Sequence, residues 1–269
     1  MSFSTPLKKT KKLLAVSRQR YQKLTAHVHP APIFILGYSK SGTTVISSLL
    51  SELSGQALTT DLFYRLDPKL ANQLPEKLFD GEEKMADFVR KNKFFFSTPL
   101  NKSPVFTFLY LELRNCFPNA QFIFIVRHPA DTLRSNLNRR GISGNVDQLS
   151  EDKQKYLKRF ASIPPSVGNH YIEKMANRWN TAAETYWSNV DNMILIRYED
   201  FLLDKVGSIR QLCGQVGLTA KHDISPFLDK QYQPRGNRDI SWCEFFGVTN
   251  LGMIESICAE HIARFGYVT

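Results

Sequence analysis

A short loop rich in small residues carries the first chemistry that the sequence suggests. It spans Gly37–Thr44 and follows Ile33–Leu36, an apolar run of strand length. Small residues let backbone N–H groups converge on an anion, and a helix that begins after the loop directs the positive end of its dipole at the same place. The loop therefore predicts an anion-binding turn between a buried strand and a helix that begins at Thr43 or Thr44 and ends near Leu53.

The position of its lysine separates this loop from the phosphate loop of kinases and GTPases. Those enzymes need Gly-Lys-Ser/Thr at the end of the loop, and the serine or threonine recruits magnesium. Gly37 and Gly42 have the required spacing, but Thr43 occupies the lysine position and Lys40 lies inside the loop. Transfer of a sulfuryl group moves less negative charge than transfer of a phosphoryl group, so a lysine and backbone donors could stabilise it. We therefore predict that no metal is required, and a P-loop nucleotide kinase or other NTPase is the alternative.

A second buried strand supplies an independent signal for anion binding. Gln121–Val126 is apolar after its first residue and leads directly into Arg127. A guanidinium at the carboxyl end of a strand can bind a phosphate through two hydrogen bonds. Ser135 lies two helical turns further on and could add a hydroxyl to the same oxygens. Pairing of Arg127 with a carboxylate is the alternative interpretation.

Apolar strands that alternate with helical segments indicate the fold class. Buried runs at 33–36, 121–126 and 193–196 are typical of a parallel sheet with both faces covered. We predict an α/β fold with a P-loop-NTPase-like central parallel sheet and helices on both faces. Helical patterns are expected within 68–91, over 104–116, from His170 to Trp187, near 206–217 and over 250–265.

The domain organisation and charge of the chain set broader limits. Residues 31–269 are predicted to form one domain, and residues 1–30 a basic lead-in. The polar segment 138–168 contains glycines and prolines, and we interpret it as a mobile insertion that could cover the site as a lid. The net charge of +10 favours anionic partners. A non-catalytic glycan- or nucleic-acid-binding protein is therefore a further alternative, although we expect no nucleic-acid partner.

Cysteine spacing and hydropathy bear on the compartment. The longest apolar runs have the length of strands, so we predict no transmembrane segment. The four cysteines are widely spaced and form no C-x-x-C pair, which favours reduced thiols over a disulfide framework. We therefore expect a cytoplasmic protein.

Several segments together resemble the sulfotransferases that use 3′-phosphoadenosine 5′-phosphosulfate (PAPS). In the expected order, the matching segments are Lys40–Thr44, Lys102–Pro104, Arg127–Ser135, Arg197–Phe201, Trp242 and Gly266–Tyr267. Their context is closer to bacterial, tyrosylprotein and Golgi-type members than to the cytosolic small-molecule group. The resemblance implies an enzyme that transfers a sulfuryl group from PAPS to an acceptor hydroxyl or amine by in-line displacement. The second product would be adenosine 3′,5′-bisphosphate (PAP).

The resemblance also implies which residues contact the donor. The 5′-phosphosulfate would lie against Lys40, Ser41, Gly42, Thr43 and Thr44. The 3′-phosphate would be bound by Arg127 and Ser135, with Arg235 and Gly236 as further contacts. Tyr198 would lie near the nucleotide, and a hydrogen-bonded core tyrosine is the alternative.

The same resemblance gives candidates for the catalytic groups. Lys40 would stabilise the leaving group, and Lys102 would contact the sulfuryl group during its transfer. Asp61 occupies the place of the glutamate base in tyrosylprotein and many bacterial relatives, but aspartate is shorter than glutamate. A helix cap is the alternative role of Asp61, and His170 is the reserve candidate for the base. The acceptor stays open among a sugar, a lipid, a peptide tyrosine and a small metabolite.

Overall fold

A five-stranded parallel sheet forms the centre of the described structure. The computed structural model describes residues 25–69, 71, 73–154, 163, 167–231 and 240–267. The strands are β1 (Ile33–Gly37), β2 (Leu58–Thr60), β3 (Leu100–Lys102), β4 (Gln121–Val126) and β5 (Met193–Arg197). Their spatial order is β2-β3-β1-β4-β5, and every neighbouring pair is parallel. The predicted parallel sheet is therefore confirmed.

Helices cover both faces of this sheet. The α-helices are α1 (Thr43–Ser54), α2 (Leu62–Leu66), α3 (Gln73–Phe79), α4 (Met85–Lys91), α5 (Tyr110–Cys116), α6 (Pro129–Asn138), α7 (Tyr171–Trp187), α8 (Tyr198–Leu203), α9 (Lys205–Gln215) and α10 (Trp242–Arg264). Short 3₁₀ helices lie at Phe95–Ser97, Pro104–Leu109, Val190–Asn192 and Ser225–Phe227.

Alternation along the strands divides the core between the two faces. Ile33 and Ile35 of β1 pack in a cluster with α1, α8 and α9, whereas Phe34 and Leu36 pack in a second cluster with α5, α6, α7 and α10. Successive side chains of a strand point to opposite faces, so a continuously apolar strand is what two covered faces require. The strand pattern on which the fold prediction depended thus has a direct physical origin.

Three features differ from the predicted elements. Strands β2 and β3 were not predicted, because each has only three residues and β3 reads Leu-Asn-Lys without apolar alternation. The predicted helix over 104–116 begins as a 3₁₀ helix and becomes an α-helix at Tyr110. Helix α10 begins at Trp242, well before residue 250, and is interrupted at Gly247, where φ is 71°.

The described part of the predicted lid is packed against the domain. The Tyr171 hydroxyl donates to the carbonyl of Gly144 at 2.9 Å, and the Asn250 amide donates to the same carbonyl at 2.8 Å. Ile142 and Leu149 are buried. Residues 155–162 and 164–166 of the predicted lid, and residues 1–24 of the predicted lead-in, lie outside the described residues.

The described residues also bear on the predictions about membrane spans and disulfides. None of the helices in that part of the chain is long and apolar enough to cross a membrane. The four cysteines are free, and Cys213 and Cys258 are buried while Cys243 is exposed.

Candidate active site

The carboxyl ends of the strands border a cavity of about 1510 Å³. Parallel strands place the residues that follow them at one edge of the sheet, which is where open α/β sheets bind their ligands. The cavity is lined by residues from the loop after β1, from the ends of β2 and β3, from the start and the far end of α6, and from the start of α8. Those that the sequence singled out are Lys40, Gly42, Thr43, Thr44, Asp61, Lys102, Arg127, Ser135, His170 and Tyr198.

The loop after β1 is held by a side chain distant in sequence. The Thr107 hydroxyl accepts a hydrogen bond from the N–H of Gly37 at 2.8 Å and donates to the Gly37 carbonyl at 3.2 Å. The Asn136 amide donates to the carbonyl of Ser39 at 2.8 Å. These contacts fix both the entry and the middle of the loop. Sequence reasoning missed Thr107 because the contact joins residues 70 positions apart, and no local sequence pattern predicts it.

Gly42 has a steric reason to be glycine. Its φ is 97°, and a β-carbon placed there would lie 2.2 Å from the ring of Tyr198. A left-handed φ is strained for other residues, and the clash adds to that strain. Tyr198 is buried beside the loop and also lines the cavity. This aromatic ring therefore supports the turn and borders the space in which a nucleotide would lie.

Helix α1 directs its amino-terminal turn at the cavity. Gly42 is its N-cap, and Thr43, Thr44 and Val45 line the cavity. The first N–H groups of a helix have no intrahelical acceptor, which makes this turn an anion-binding element. Ser41 is different, because its N–H donates to the Tyr38 carbonyl at 3.1 Å and its buried hydroxyl has no hydrogen-bond partner among the described residues.

Lys40 lies in the loop among other cations. Burial, together with the positive charges of Arg139, Arg140 and Lys102, lowers the pKa of Lys40 to about 8. Its φ of 77° is unusual for a lysine. A cation held in a positive, partly dry environment is stabilised when an anion binds beside it. The electrostatics around Lys40 therefore favour a bound anion.

Asp61 and Lys102 form an ion pair across the ends of β2 and β3. The Lys102 Nζ lies 2.9 Å from the Asp61 Oδ1, and the Asp61 N–H donates to the Lys102 carbonyl at 2.8 Å. Asp61 is the N-cap residue of α2, but its side chain makes no capping hydrogen bond. The Lys102 side chain is 2% exposed, whereas that of Asp61 is 50% exposed. The carboxylate is thus turned to the lysine and open to the cavity.

His170 serves as the cap of a helix. Its Nδ1 accepts the N–H of Ile172 at 3.3 Å, and its Nε2 lies 2.9 Å from the carbonyl of Asp147. A carbonyl can only accept, so the hydrogen of the ring lies on Nε2 and the lone pair on Nδ1 is occupied. Glu173 completes a capping box with the His170 N–H. Both ring nitrogens are therefore engaged in local structure.

Arg127 is positioned at the end of β4 by three contacts. Its guanidinium lies 3.2 Å from the Asp131 carboxylate and 4.9 Å from the centre of the Tyr198 ring. The Trp179 indole donates to the Arg127 carbonyl at 3.1 Å. The carboxylate pairing that the sequence left open is thus present, and Arg127 also lines the cavity together with Ser135. One carboxylate uses only part of the five-donor fork of an arginine.

Asp131 joins the start of α6 to the start of α10. Its carboxylate forms ion pairs with Arg127 and with the Arg134 guanidinium, the latter at 2.6 Å. It also accepts a hydrogen bond from the Trp242 indole N–H at 3.0 Å. Burial alone would raise the pKa of Asp131, but the charge of Arg127, the hydrogen bond from Trp242 and the charge of Arg134 together lower it. Sequence reasoning missed Asp131, although a carboxylate in the first turn of the helix that follows Arg127 was a usable signal.

Aromatic and acidic side chains also pack and form hydrogen bonds around the carboxyl ends of β4 and β5. The His128 ring stacks on Trp242 with centroids 4.3 Å apart, and burial lowers the pKa of His128 to about 4. Glu199 accepts from the His128 N–H at 3.0 Å and from the Tyr267 hydroxyl at 2.8 Å. Four of the segments that carry the resemblance therefore meet in one network.

Two of the predicted donor contacts cannot be placed. Arg235 and Gly236 lie outside the described residues. Their neighbour Ile240 is described, and its carbonyl accepts from Arg134 at 2.8 Å. Within the described residues, no group of three or more His, Cys, Asp or Glu side chains is arranged to hold a metal ion.

Comparisons with known proteins agree with this architecture. A profile described as "Sulfotransferase family" matches residues 64–222, more than half of the chain. A search of curated proteins found no match. Among solved structures, a sulfotransferase of Mycobacterium avium is similar with a TM-score of 0.56 and 15% identity, over 94% of this chain and 81% of that one. The sulfotransferase domain of the Synechococcus PCC 7002 olefin synthase is similar with a TM-score of 0.50 and 14% identity, over 92% and 98%. At such low sequence identities, the similarity to these structures shows a shared fold.

Proposed function

This chain belongs to the sulfotransferase family, and we propose that it transfers a sulfuryl group from PAPS to an acceptor hydroxyl or amine. Family membership makes the chain a sulfotransferase enzyme and sets aside the NTPase and the non-catalytic alternatives. The identity of the donor, the acceptor and the role of each residue belong to the proposal. The cytoplasmic location stays a prediction.

The walls of the cavity fit a donor that carries two separate anionic groups. The first turn of α1 and Lys40 would bind the 5′-phosphosulfate through N–H groups and an ammonium. Arg127 and Ser135 would bind the 3′-phosphate. Tyr198 lies beside both Gly42 and Arg127, so the nucleotide would extend past its ring from one anion site to the other.

The Asp61–Lys102 pair supports a mechanism in which one proton transfer activates two groups. Asp61 would accept the proton of the acceptor hydroxyl while the acceptor oxygen forms its bond to sulfur. The bond from sulfur to the 5′-phosphate oxygen breaks, and PAP leaves with the electron pair, stabilised by Lys40. Protonation removes the charge of Asp61, and Lys102 can then turn its hydrogen bond to the sulfuryl oxygens. The coupling follows from the 2.9 Å contact between the two side chains.

Asp61 is preferred to His170 as the base. Its carboxylate is half exposed to the cavity and next to Lys102. The lone pair of His170 is used in capping α7, so proton acceptance there would break the start of that helix. Aspartate needs closer approach of the acceptor than glutamate would, and the left-handed φ of 47° at Asp61 helps to set the direction of its short side chain.

The observation that carries the proposal is that Arg127, Ser135, Lys40 and the Asp61–Lys102 pair line one cavity. Calorimetric titration with PAP, 5′-AMP and magnesium-free ATP tests the donor site. We expect PAP to bind at least about tenfold more tightly than 5′-AMP, because a charge-assisted phosphate contact contributes about 1.5 kcal/mol or more. In Arg127→Ala, the affinity for PAP should fall to about that for 5′-AMP, while the affinity for 5′-AMP changes less than about twofold.

Arg210→Ala on the exposed side of α9 is the matched control, and it should retain the preference for PAP. Thermal unfolding of both variants establishes that each is folded. Absence of PAP binding, or tighter binding of ATP that depends on magnesium, would contradict the proposal.

A further inference from the structure

One wall of the cavity is built by elements that carry none of the predicted donor contacts. We call it the acceptor wall, and its apolar residues are Pro75, Val105, Phe108, Leu149, Ile163 and Met175. They come from α3, from the 3₁₀ helix that follows Lys102, from the segment between α6 and α7, and from α7. Under the proposed function this wall faces the acceptor, because Val105 and Phe108 closely follow Lys102 in the chain and the wall lines the same cavity as the Asp61–Lys102 pair.

A buried arginine interrupts this apolar wall. Arg178 of α7 is 9% exposed, and its guanidinium lies 4.4 Å from the centre of the Phe108 ring. It lines the cavity. Burial lowers the pKa of Arg178 to about 10, and the charge of Arg140 contributes to the lowering. The guanidinium is therefore charged at neutral pH in surroundings where an additional anion would be stabilising.

Positively charged side chains outnumber negatively charged ones among the described residues that line the cavity. Among the described lining residues, lysines and arginines outnumber aspartates ten to four, and glutamate does not occur. Asp61 pairs with Lys102, Asp131 with Arg127 and Arg134, and Asp229 with Lys205. Asp147 is exposed. Three of the four described carboxylates are thus paired with cations, and Lys174 and Arg178 add positive charge to the acceptor wall.

We propose that the acceptor is an anionic compound, with an apolar or aromatic body against Phe108 and Met175 and a carboxylate, phosphate or sulfate group bound by Arg178. The inference rests on the proposed function, since the wall is assigned to the acceptor only if the donor occupies the other side. Arginine suits this role because its planar fork binds such oxyanions with two hydrogen bonds and can stack on a ring at the same time. The Phe108 ring already provides one such surface.

Small fragments test the inference without knowledge of the natural acceptor. Benzoate and benzamide have the same shape and differ in charge, and each is titrated into enzyme saturated with PAP so that the donor site is filled. We expect benzoate to bind at least about tenfold more tightly than benzamide, in line with a charge-assisted contact. Arg178→Met, which keeps a long apolar stem, should abolish this preference while the affinity for PAP changes less than about twofold.

Two variants accompany the measurement. Arg178→Lys keeps the charge without the fork and should retain part of the preference. Arg90→Met, at an arginine whose side chain is 77% exposed on α4, should retain all of it. Equal binding of benzoate and benzamide by the unaltered enzyme overturns the inference even if Arg178→Met does not fold. Undiminished preference in a folded Arg178→Met also overturns it. Failure of PAP to bind in the first step would instead contradict the proposed function.

Discussion

The two sides of the cavity, which we propose bind the donor and the acceptor, are built in different ways. On the donor side, Arg127 is tied through Asp131 to Trp242, and Trp242 stacks on His128, so that β4, α6 and α10 hold one another. On the acceptor side, the Asp61 carboxylate is half exposed, and Lys102 is its one ion-pair partner among the described residues. Its neighbouring elements α2 and α3 have five and seven residues. Arg127 is thus held by several contacts, whereas the Asp61 carboxylate is held by few.

This difference has a physical consequence for specificity. Side chains that are locked by several partners recognise one fixed geometry, because little conformational entropy is lost when the ligand binds. A cofactor-like donor suits such a site. A wall of apolar side chains interrupted by one buried cation selects its ligand by charge and shape. We therefore expect substitutions on the two sides to separate donor binding from transfer.

The largest effect should come from Asp61→Asn. Removal of the proposed base should lower the transfer rate by about 10²–10⁴-fold, the range typical of general acid–base catalysis, while the affinity for PAP stays within about twofold. The rate is measured with radiolabelled PAPS and the best acceptor from a panel of charged and neutral phenols, sugars and lipids. Asp80→Asn, at an exposed residue after α3, should leave both values unchanged. An equal loss of PAP affinity in Asp61→Asn would remove the distinction between the two sides.

The next effect concerns the support of the donor loop. Gly42→Ala should lower the free energy of unfolding by about 2 kcal/mol more than Gly81→Ala. Both glycines have positive φ, but an added β-carbon meets the Tyr198 ring at Gly42 and open space at Gly81. Urea unfolding measures the difference. Equal losses in the two variants would show that the backbone angle matters and the contact with Tyr198 does not.

Asp131→Asn tests the bracing of Arg127. The neutral amide cannot hold Arg127, Arg134 and Trp242 as the carboxylate does, so we expect PAP affinity to fall by about tenfold. Binding of 5′-AMP, which lacks the 3′-phosphate, should change less than twofold. Asp191→Asn, in an exposed turn before β5, serves as the control. A similar loss for both nucleotides would mean that Asp131 supports the fold in general and has no specific role at the 3′-phosphate site.

The smallest effect is a pH dependence at Lys40. Because its folded-state pKa is lowered to about 8, the ammonium is charged below that pH and becomes neutral above it. PAP affinity should therefore fall about fivefold between about pH 7 and pH 9. In Lys40→Arg, whose guanidinium stays charged over this range, the affinity should change less than twofold. The same decline in both proteins would assign the titration to another group.

The residues proposed for the donor side could be singled out from the sequence because their signals are local. The loop from Gly37 to Thr44 follows a buried strand, and Arg127 and Ser135 lie on one strand end and the helix that follows it. Lys40, Gly42, Thr43 and Thr44 of the loop line one cavity with Arg127 and Ser135, as the parallel arrangement of the strands requires. Ser41 is buried and does not line it. Arg235 and Gly236 lie outside the described residues, so their role stays a prediction.

The acceptor side was much less predictable, since its contacts join distant segments. The hydrogen bond between Lys102 and Asp61 spans 41 positions and depends on the pairing of two three-residue strands that have no apolar pattern. His170 could be singled out as a titratable residue, but the capping bonds that occupy its ring were visible only in three dimensions. Arg178 lies within a helical stripe of core residues, and nothing in the sequence separates a buried cation from an exposed one there.

A crystal structure of the enzyme with bound PAP tests the central claim most directly. We predict that the 3′-phosphate lies within hydrogen-bond distance of Arg127 and Ser135, at about 3 Å. The 5′-phosphate should lie against the first turn of α1 and Lys40, and PAP should make no contact with the acceptor wall or with Arg178. PAP bound along the acceptor wall, or a 3′-phosphate that Arg127 does not contact, would contradict the division of the cavity into a donor side and an acceptor side.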